Sequence, residues 1–293
     1  VTYSAALTHG FTAATILDDS PVSFPLSDGR TYSPVNYDSR FHGRIPLRIA
    51  FANSFNIPAV KTVNSVGVDT FISLAKKMGI STLNNNGQYG LSITLGGMDT
   101  TMLDMATIYA TSANLGQRVD LDPILKITDN NGSVLEEKHV TKTRVLPEAV
   151  SFIINNILSD NKARLIEFGP NSPLVIPDHT VSVKTGTSDD KRDNWTIGFR
   201  TSDPKFLVTV WVGNNDNSPM SQTLASGITG AAPIWHNIIT QLLNNTPDEI
   251  LATPSGVITK KCSYGTEYFV EGTENSVNCA TVFPTWTPTP LPH

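Results

Sequence analysis

Apolar positions recur at helical spacing in several stretches of this chain and at alternating spacing in others, and the contrast predicts where its elements lie. A helix is expected from about Val68 to Met78, where Phe71, Leu74, Ala75 and Met78 share one face and Gly79 ends the run. Another follows Gly96-Gly97: Thr101 and Asp104 have the spacing of a capping box, and Met102, Met105, Ala106, Tyr109 and Ala113 make one apolar stripe before Gly116. A helix from about Pro147 to Leu158 has proline in its first turn and would bury Val150, Ile153, Ile154 and Ile157. One from about Ala231 to Leu243 carries Ile234, Trp235, Ile238, Ile239 and Leu242. Shorter helical patterns run from Thr2 to His9, closed by Gly10, and from about Ile45 to Asn53.

Alternation marks the strands. Ile124, Leu125 and Ile127, the turn Asn130-Asn131-Gly132, then Val134 and Leu135 predict a β-hairpin over Pro123 to Glu137. Thr180 to Lys184, Asn194 to Arg200 and Phe206 to Val212 follow in quick succession, with turns containing Asp189-Asp190 and Ser202-Asp203-Pro204. Connections this short force an antiparallel meander, and the helix ending at Leu243 would pack on one face of it. The fold class is therefore α/β (α+β), an antiparallel sheet flanked by helices. The first forty or so residues, with turns at Asp18-Asp19-Ser20-Pro21 and Asp28-Gly29, read as an extended surface strap. Past Pro254 the chain reads as a low-complexity appendage ending in linker-like polyproline sequence, Pro284 to Pro292. The division expected is 1-245 as the main domain and 246-293 as a small tail.

Composition narrows the function. A net charge of -5 with 16% charged residues, and no basic stripe, makes nucleic acid an unsuitable partner. No apolar run reaches the roughly 18 residues needed to cross a bilayer. The chain opens with Val1 inside a helical pattern, which suggests a fragment or a processed product. Cys262 and Cys279, isolated in a short loop-like segment, read as a local disulfide rather than as two free thiols. Such a bond would stabilise the tail by roughly 3 kcal/mol and implies an oxidising, extracytoplasmic setting. The six histidines lack ligand spacing, so neither a metal nor a cofactor is expected.

Two tripeptides are placed where acyl transfer would want them: Ser54-Phe55-Asn56 after a helix, and Lys184-Thr185-Gly186, with Thr187, at a strand end. An ammonium and hydroxyls suit a substrate carboxylate, and Gly186 lets an acyl group lie against the strand backbone. The backbone N–H of Thr187 could donate to a developing oxyanion. Ser54 can pass a proton to a leaving amine, and the amide of Asn56 can donate to and accept from a donor peptide. Alone each motif is weak, since a turn serine and an edge-strand lysine arise by chance. Ser-x-x-Lys, Ser-Asp-Asn and Lys-Thr-Gly together are the signature of penicillin-binding proteins and class A β-lactamases, and two of the three have counterparts here in the expected order.

From about Val1 to Leu243 the chain resembles class A penicillin-binding proteins in their C-terminal transpeptidase domain. The resemblance is carried by Pro34-Val35-Asn36-Tyr37-Asp38, Phe41-His42-Gly43, Leu47-Arg48, the run Ala52 to Lys61, Tyr89-Gly90-Leu91-Ser92 and Val183 to Thr187. It continues through Arg192 to Gly198, Trp211 to Asn214 and Thr229 to Trp235. It implies the penicillin-binding transpeptidase, or serine β-lactamase-like, fold and a peptidoglycan D,D-transpeptidase activity. Ser54 would be the proton-relay serine, Asn56 the amide that orients the donor, and Lys184 the electrostatic partner of Ser54. Thr185 and Thr187, with Gly186 between them, would bind the terminal carboxylate or its β-lactam mimic. Peptidoglycan stem peptides and β-lactams are the implied partners, at the outer face of the cytoplasmic membrane, in a parent protein anchored there.

The departure from the family pattern is equally informative. Members carry Ser-x-x-Lys-Pro at the start of the helix that Val1 to Leu7 continues, so the nucleophile and its lysine would fall just before Val1. Two further strands in that region would pair with Phe206 to Val212. As given, the chain is expected to form no acyl-enzyme. A β-lactamase-like hydrolase and a non-catalytic peptidoglycan-binding module are the competing readings.

Overall fold

The computed structural model of the protein describes all residues except 27–28, 84–88, 222–225, 249, 281–288 and 291–293. Helix α1 (Thr2–Thr8) stops just before Gly10, whose φ is 88°. The chain then forms β1 (Ile16–Asp19), β2 (Phe24–Pro25), β3 (Thr31–Tyr32), β4 (Arg40–Phe41) and β5 (Gly43–Pro46). Helices α2 (Leu47–Ala52), α3 (Asn56–Val66) and α4 (Val68–Met78) follow, then a 3-10 turn Leu91–Leu95 and α5 (Met102–Ala113). Short strands β6 (Gln117–Val119), β7 (Lys126–Thr128), β8 (Val134–Glu137) and β9 (Lys142–Arg144) precede α6 (Glu148–Ser159) and α7 (Leu165–Phe168). The meander β10 (Ser182–Thr187), β11 (Asp193–Arg200) and β12 (Phe206–Gly213) leads through a π-helical turn, Gly227–Ala231, to α8 (Ala232–Leu243). A hairpin, β13 (Val257–Cys262) and β14 (Gly265–Val270), comes after it.

The sheet has the order β10-β11-β12, antiparallel throughout, with Lys184 opposite Ile197 and Gly186 opposite Trp195. Alternation along the strands sends Val183 and Val210 to one face, where they meet Ala232, Trp235 and Ile239 of α8. Gly198 is required there, because a Cβ would lie 2.3 Å from the Trp235 ring. The opposite face carries Phe199 into the larger core, built from α1, α2, α4 and α6 around Leu7, Leu47, Met78 and Ile153. Ser182 Oγ donates to Asn155 O, fixing β10 to α6. Helix, sheet and helix are thus layered as the antiparallel α/β pattern requires. Among the described residues β12 is paired on one side only, by β11.

Several expectations change. The Asp104 side chain does not reach back in a capping box: Thr101 caps α5, while the carboxylate accepts from Ser81 N–H and Oγ. Nor is the whole stripe Met102 to Ala113 buried: Met102 is exposed, Tyr109 and Ala113 pack half-buried against the core, and the buried positions are Asp104, Thr107, Ile108, Thr111 and Ser112. On α8, Ile234, Ile238 and Leu242 lie outside and Trp235, Ile239 and Leu243 inside. Ile45 and Pro46 close β5 and do not begin a helix. The apolar pattern does not mark α3, whose β-branched residues lower helix propensity; burial of Ile57, Val60 and Val63 holds it instead.

The strap is anchored, because β1 pairs with β5 and Asp19 is fully buried. The region past Pro254 is no low-complexity appendage either: β14 buries Phe269 and Glu267, and Phe152 of α6 meets Tyr268 edge-on at 5.3 Å. Cys262 and Cys279 are bonded at S–S 1.98 Å. Asp28 and nearly all of the run Pro284 to Pro292 lie outside the described residues. Among the described residues no helix is long and apolar enough to cross a membrane.

Candidate active site

Ser54 occupies the one residue between two helices that must turn the chain back. At the end of α2, Ser54 N–H donates to Phe51 O and Phe55 N–H donates to Ala50 O, the two bonds of a Schellman motif. That motif places Ser54 in the left-handed region, with φ 61°, a position normally given to glycine. Phe55 is extended, and Asn56 begins α3 with Pro58 in its first turn. A serine there keeps a Cβ in a strained conformation and places a hydroxyl at the cleft.

The opposing wall is β10. Its motif, Lys184 to Thr187, forms the last four residues of the strand, which ends at Thr187. Lys184 Nζ donates to Ser54 Oγ at 2.6 Å and to Thr185 O at 2.9 Å. The two motifs, 130 residues apart, thus meet by direct contact. Ser188 N–H donates to Asp193 O, so the alternating bonds of the ladder fall at 188, 186 and 184. The N–H groups of Thr185 and Thr187 consequently point to the open edge of β10. Gly186 leaves the strand backbone bare beside Trp195, whose Cβ an added methyl would meet at 3.4 Å.

A cavity of about 480 Å³ joins these walls, lined by Ser54, Asn56, Lys184, Thr185, Gly186 and Thr187 together with Thr2, Tyr3, Asp193 and Trp195. Not every predicted group faces it with its chemistry intact. Asn56 Nδ2 donates to Val35 O at 2.8 Å, so the amide ties α3 to the strap. Thr187 Oγ1 accepts Gly227 N–H at 2.9 Å, which leaves its proton to donate elsewhere.

Burial lowers the Lys184 ammonium to about 8, Arg164 pushes the same way, and Glu167 opposes them. Burial also raises the Glu167 carboxyl, helped by Asp38 and opposed by His42 and Lys184. Arg164 is itself brought down to about 10 by burial, with Asp160 acting against it. Both charged neighbours were missed in the sequence; the polar run Ser159 to Arg164 was the available signal for Arg164, and Glu167, in the short helix that follows, had none. Among the described residues no cluster of His, Cys, Asp or Glu is placed to hold a metal ion.

Residues 1–240 match the family model described as the penicillin binding protein transpeptidase domain. The chain belongs to this family. Penicillin-binding protein 1A of Aquifex aeolicus is 32% identical over 293 residues, covering 96% of this chain and 39% of the relative. The crystal structure of penicillin-binding protein 1A from Haemophilus influenzae superposes with a TM-score of 0.81 at 25% identity, covering 93% of this chain and 47% of that one. Penicillin-binding protein A from M. tuberculosis, solved as an imipenem acyl-enzyme complex, has the same fold at TM-score 0.67 and 23% identity, covering 81% of this chain and 57% of that one. This class A transpeptidase domain therefore spans about two fifths of the curated relative's length.

Proposed function

We propose that the chain supplies the donor-binding and proton-relay share of a peptidoglycan D,D-transpeptidase. The observation that carries this reading is the 2.6 Å contact between Lys184 Nζ and Ser54 Oγ at the mouth of a peptide-sized cavity. In the reaction a serine oxygen attacks the carbonyl of a D-Ala-D-Ala donor, and the terminal D-Ala leaves with the proton that Ser54 hands on. An amine of a neighbouring stem peptide then takes the acyl group and frees the serine. Lys184 holds Ser54 in line and, as the ammonium, attracts the donor carboxylate. The hydroxyls of Thr185 and Thr187 complete the carboxylate site, and the outward N–H of Thr187 faces the developing oxyanion.

β-Lactams enter as mimics of that donor; the mycobacterial protein of the same fold forms an acyl-enzyme complex with imipenem. Residues 1-245 act as the transpeptidase domain, braced by 246-293, at the extracytoplasmic side of the cell envelope in a membrane-anchored parent. Of the described residues lining the cavity only Ser188 has Ser-x-x-Lys spacing, to Lys191, and its hydroxyl donates to Asp193 Oδ2 at 2.9 Å, so the nucleophile is not assigned among them. The same observation favours, as a second reading, a module that binds the donor without turning it over.

A fluorescent penicillin separates these readings. The 293-residue chain is expected to take up no covalent label. A chain joined at Val1 to a helical turn bearing Ser-x-x-Lys-Pro is expected to label, and Lys184→Ala to remove most of that label. Undiminished labelling of the Lys184→Ala form would remove Lys184 from its role; no labelling of the extended chain would favour the binding module.

A further inference from the structure

The turn bearing Ser54 rests on a polar, dry underside. Asp19, at the end of β1, is fully buried. Its Oδ1 accepts Asn36 Nδ2 at 2.9 Å, and its Oδ2 accepts the same amide at 2.8 Å and His42 N–H at 2.9 Å. His42 Nδ1 stands 2.6 Å from Oδ2, so this ring nitrogen carries the proton. Asn36 Oδ1 in turn accepts Ile57 N–H at 3.2 Å, capping α3 from outside, because Phe55 at its N-cap offers no side-chain acceptor. The His42 ring stacks on Phe55 with centroids 3.8 Å apart and planes 12° off parallel. Its Nε2 lies 3.2 Å from Asp38 Oδ2, and both groups are near enough to act on Glu167.

One carboxylate therefore orients both side chains that grip the residues following Ser54. A buried carboxylate costs too much to keep unless its donors are in place, so the Asp19 geometry has a single well-formed solution. We propose that Asp19 is a positioning residue of the acyl-transfer site, acting through Asn36 and His42 to hold the Ser54-Phe55-Asn56 turn against Lys184. The inference rests on the transpeptidase reading for its purpose, but the arrangement it describes is measured without turnover. Lys184 is enclosed by the turn and faced by Arg164 and Glu167. Loosening the turn admits water to the ammonium and returns its titration toward that of an ordinary lysine.

The test follows Lys184 directly, in the full chain labelled with [ε-13C]lysine, with its resonance assigned through Lys184→Arg. Asp19→Asn puts an amide donor where Asn36 and His42 already donate, and its Lys184 midpoint should rise by ~1 unit from that of the unaltered protein. Should Asp19→Asn fail to fold, His42→Gln, which keeps a donor for Asp19 but removes the stacked ring, should move the midpoint the same way by less. Leu243→Ala, at the far end of α8, should lower the unfolding midpoint in urea and leave Lys184 where it was. A folded Asp19→Asn or His42→Gln chain with an unmoved Lys184 midpoint overturns the proposal. An equal shift in Leu243→Ala also overturns it, since general loosening would then suffice. Penicillin labelling of the extended chain reports separately on the transpeptidase reading.

Discussion

Lys184 reaches the cavity from the middle of a regular strand, whereas Ser54 reaches it from a single left-handed residue between two short helices. The strand wall is held by its neighbours in sequence: β11 and β12 follow within short turns, and apolar side chains lock the sheet to α8. The serine wall is held from far away. Arg48, six residues before Ser54 in the first turn of α2, donates through Nε to Glu267 Oε2 at 2.8 Å and through a terminal nitrogen to Oε1 at 2.5 Å. It also reaches Asn156 at 2.8 Å and Asp160 at 3.1 Å. Glu267 is completely buried on β14, 219 residues away. A rigid sheet thus fixes the lysine, and buried polar ties fix the serine opposite it. The first arrangement tolerates small changes in packing; the second fails when one partner is lost.

The largest expected effect tests that contrast. Glu267→Ala strips the Arg48 guanidinium of its buried, bidentate carboxylate, leaving only the half-buried Asp160 paired to it, and should cost about 3 kcal/mol in urea unfolding. Ile197→Val, which trims one methyl from the strand opposite Lys184, should cost only about 1 kcal/mol. Replacing both partners, Arg48→Met with Glu267→Leu, should recover most of the lost stability, because no charge is then stranded. If Glu267→Ala is no more costly than Ile197→Val, the two walls do not differ in the way described.

The same contrast explains what could be read from the sequence. The meander, α4 and α6 were legible because their signals are local: alternation, a proline in the first turn, a glycine at the end. The approach of Ser54 to Lys184 was legible only through the family resemblance, since no local rule spans that separation. The turn between α2 and α3 was not, because serine stands where glycine would have announced it. Nor was the last hairpin. Its inward residue Glu267 is charged and finds its partner only in the folded chain, so the segment past Pro254 read as a low-complexity appendage. By contrast the hairpin of β7 and β8 announced itself through its turn, although every residue of both strands is exposed. Turn chemistry reports that a hairpin forms; it does not report whether anything covers it.

A smaller effect belongs to the lysine wall. The folded chain releases the Lys184 proton near 8, whereas an unfolded lysine keeps it to its ordinary value of 10.5. Between these limits the unfolded state holds more protons, so stability should rise with pH across that window on account of this group. Lys184 retains some surface toward the cavity, which discounts the gain to about 2 kcal/mol or less. Subtracting the profile of Lys184→Met isolates the contribution, since that variant has no ammonium to bury. A flat difference between the two profiles would mean that water already reaches Nζ and that the serine wall encloses nothing.

The smallest effect lies at Ser54 itself and isolates the strain in its turn. Both Ser54→Ala and Ser54→Gly remove the oxygen that Lys184 contacts, so both lose the same hydrogen bond. They differ in what the backbone must bear: alanine keeps a Cβ in the left-handed region, and glycine has none. Ser54→Gly should therefore be the more stable of the two by about 1 kcal/mol, read from their urea midpoints at equal slope, even after its larger unfolded-state entropy. Equal stabilities would show that the turn stores no strain. The serine wall would then be as relaxed as the strand it faces, and only its distant ties would set it apart.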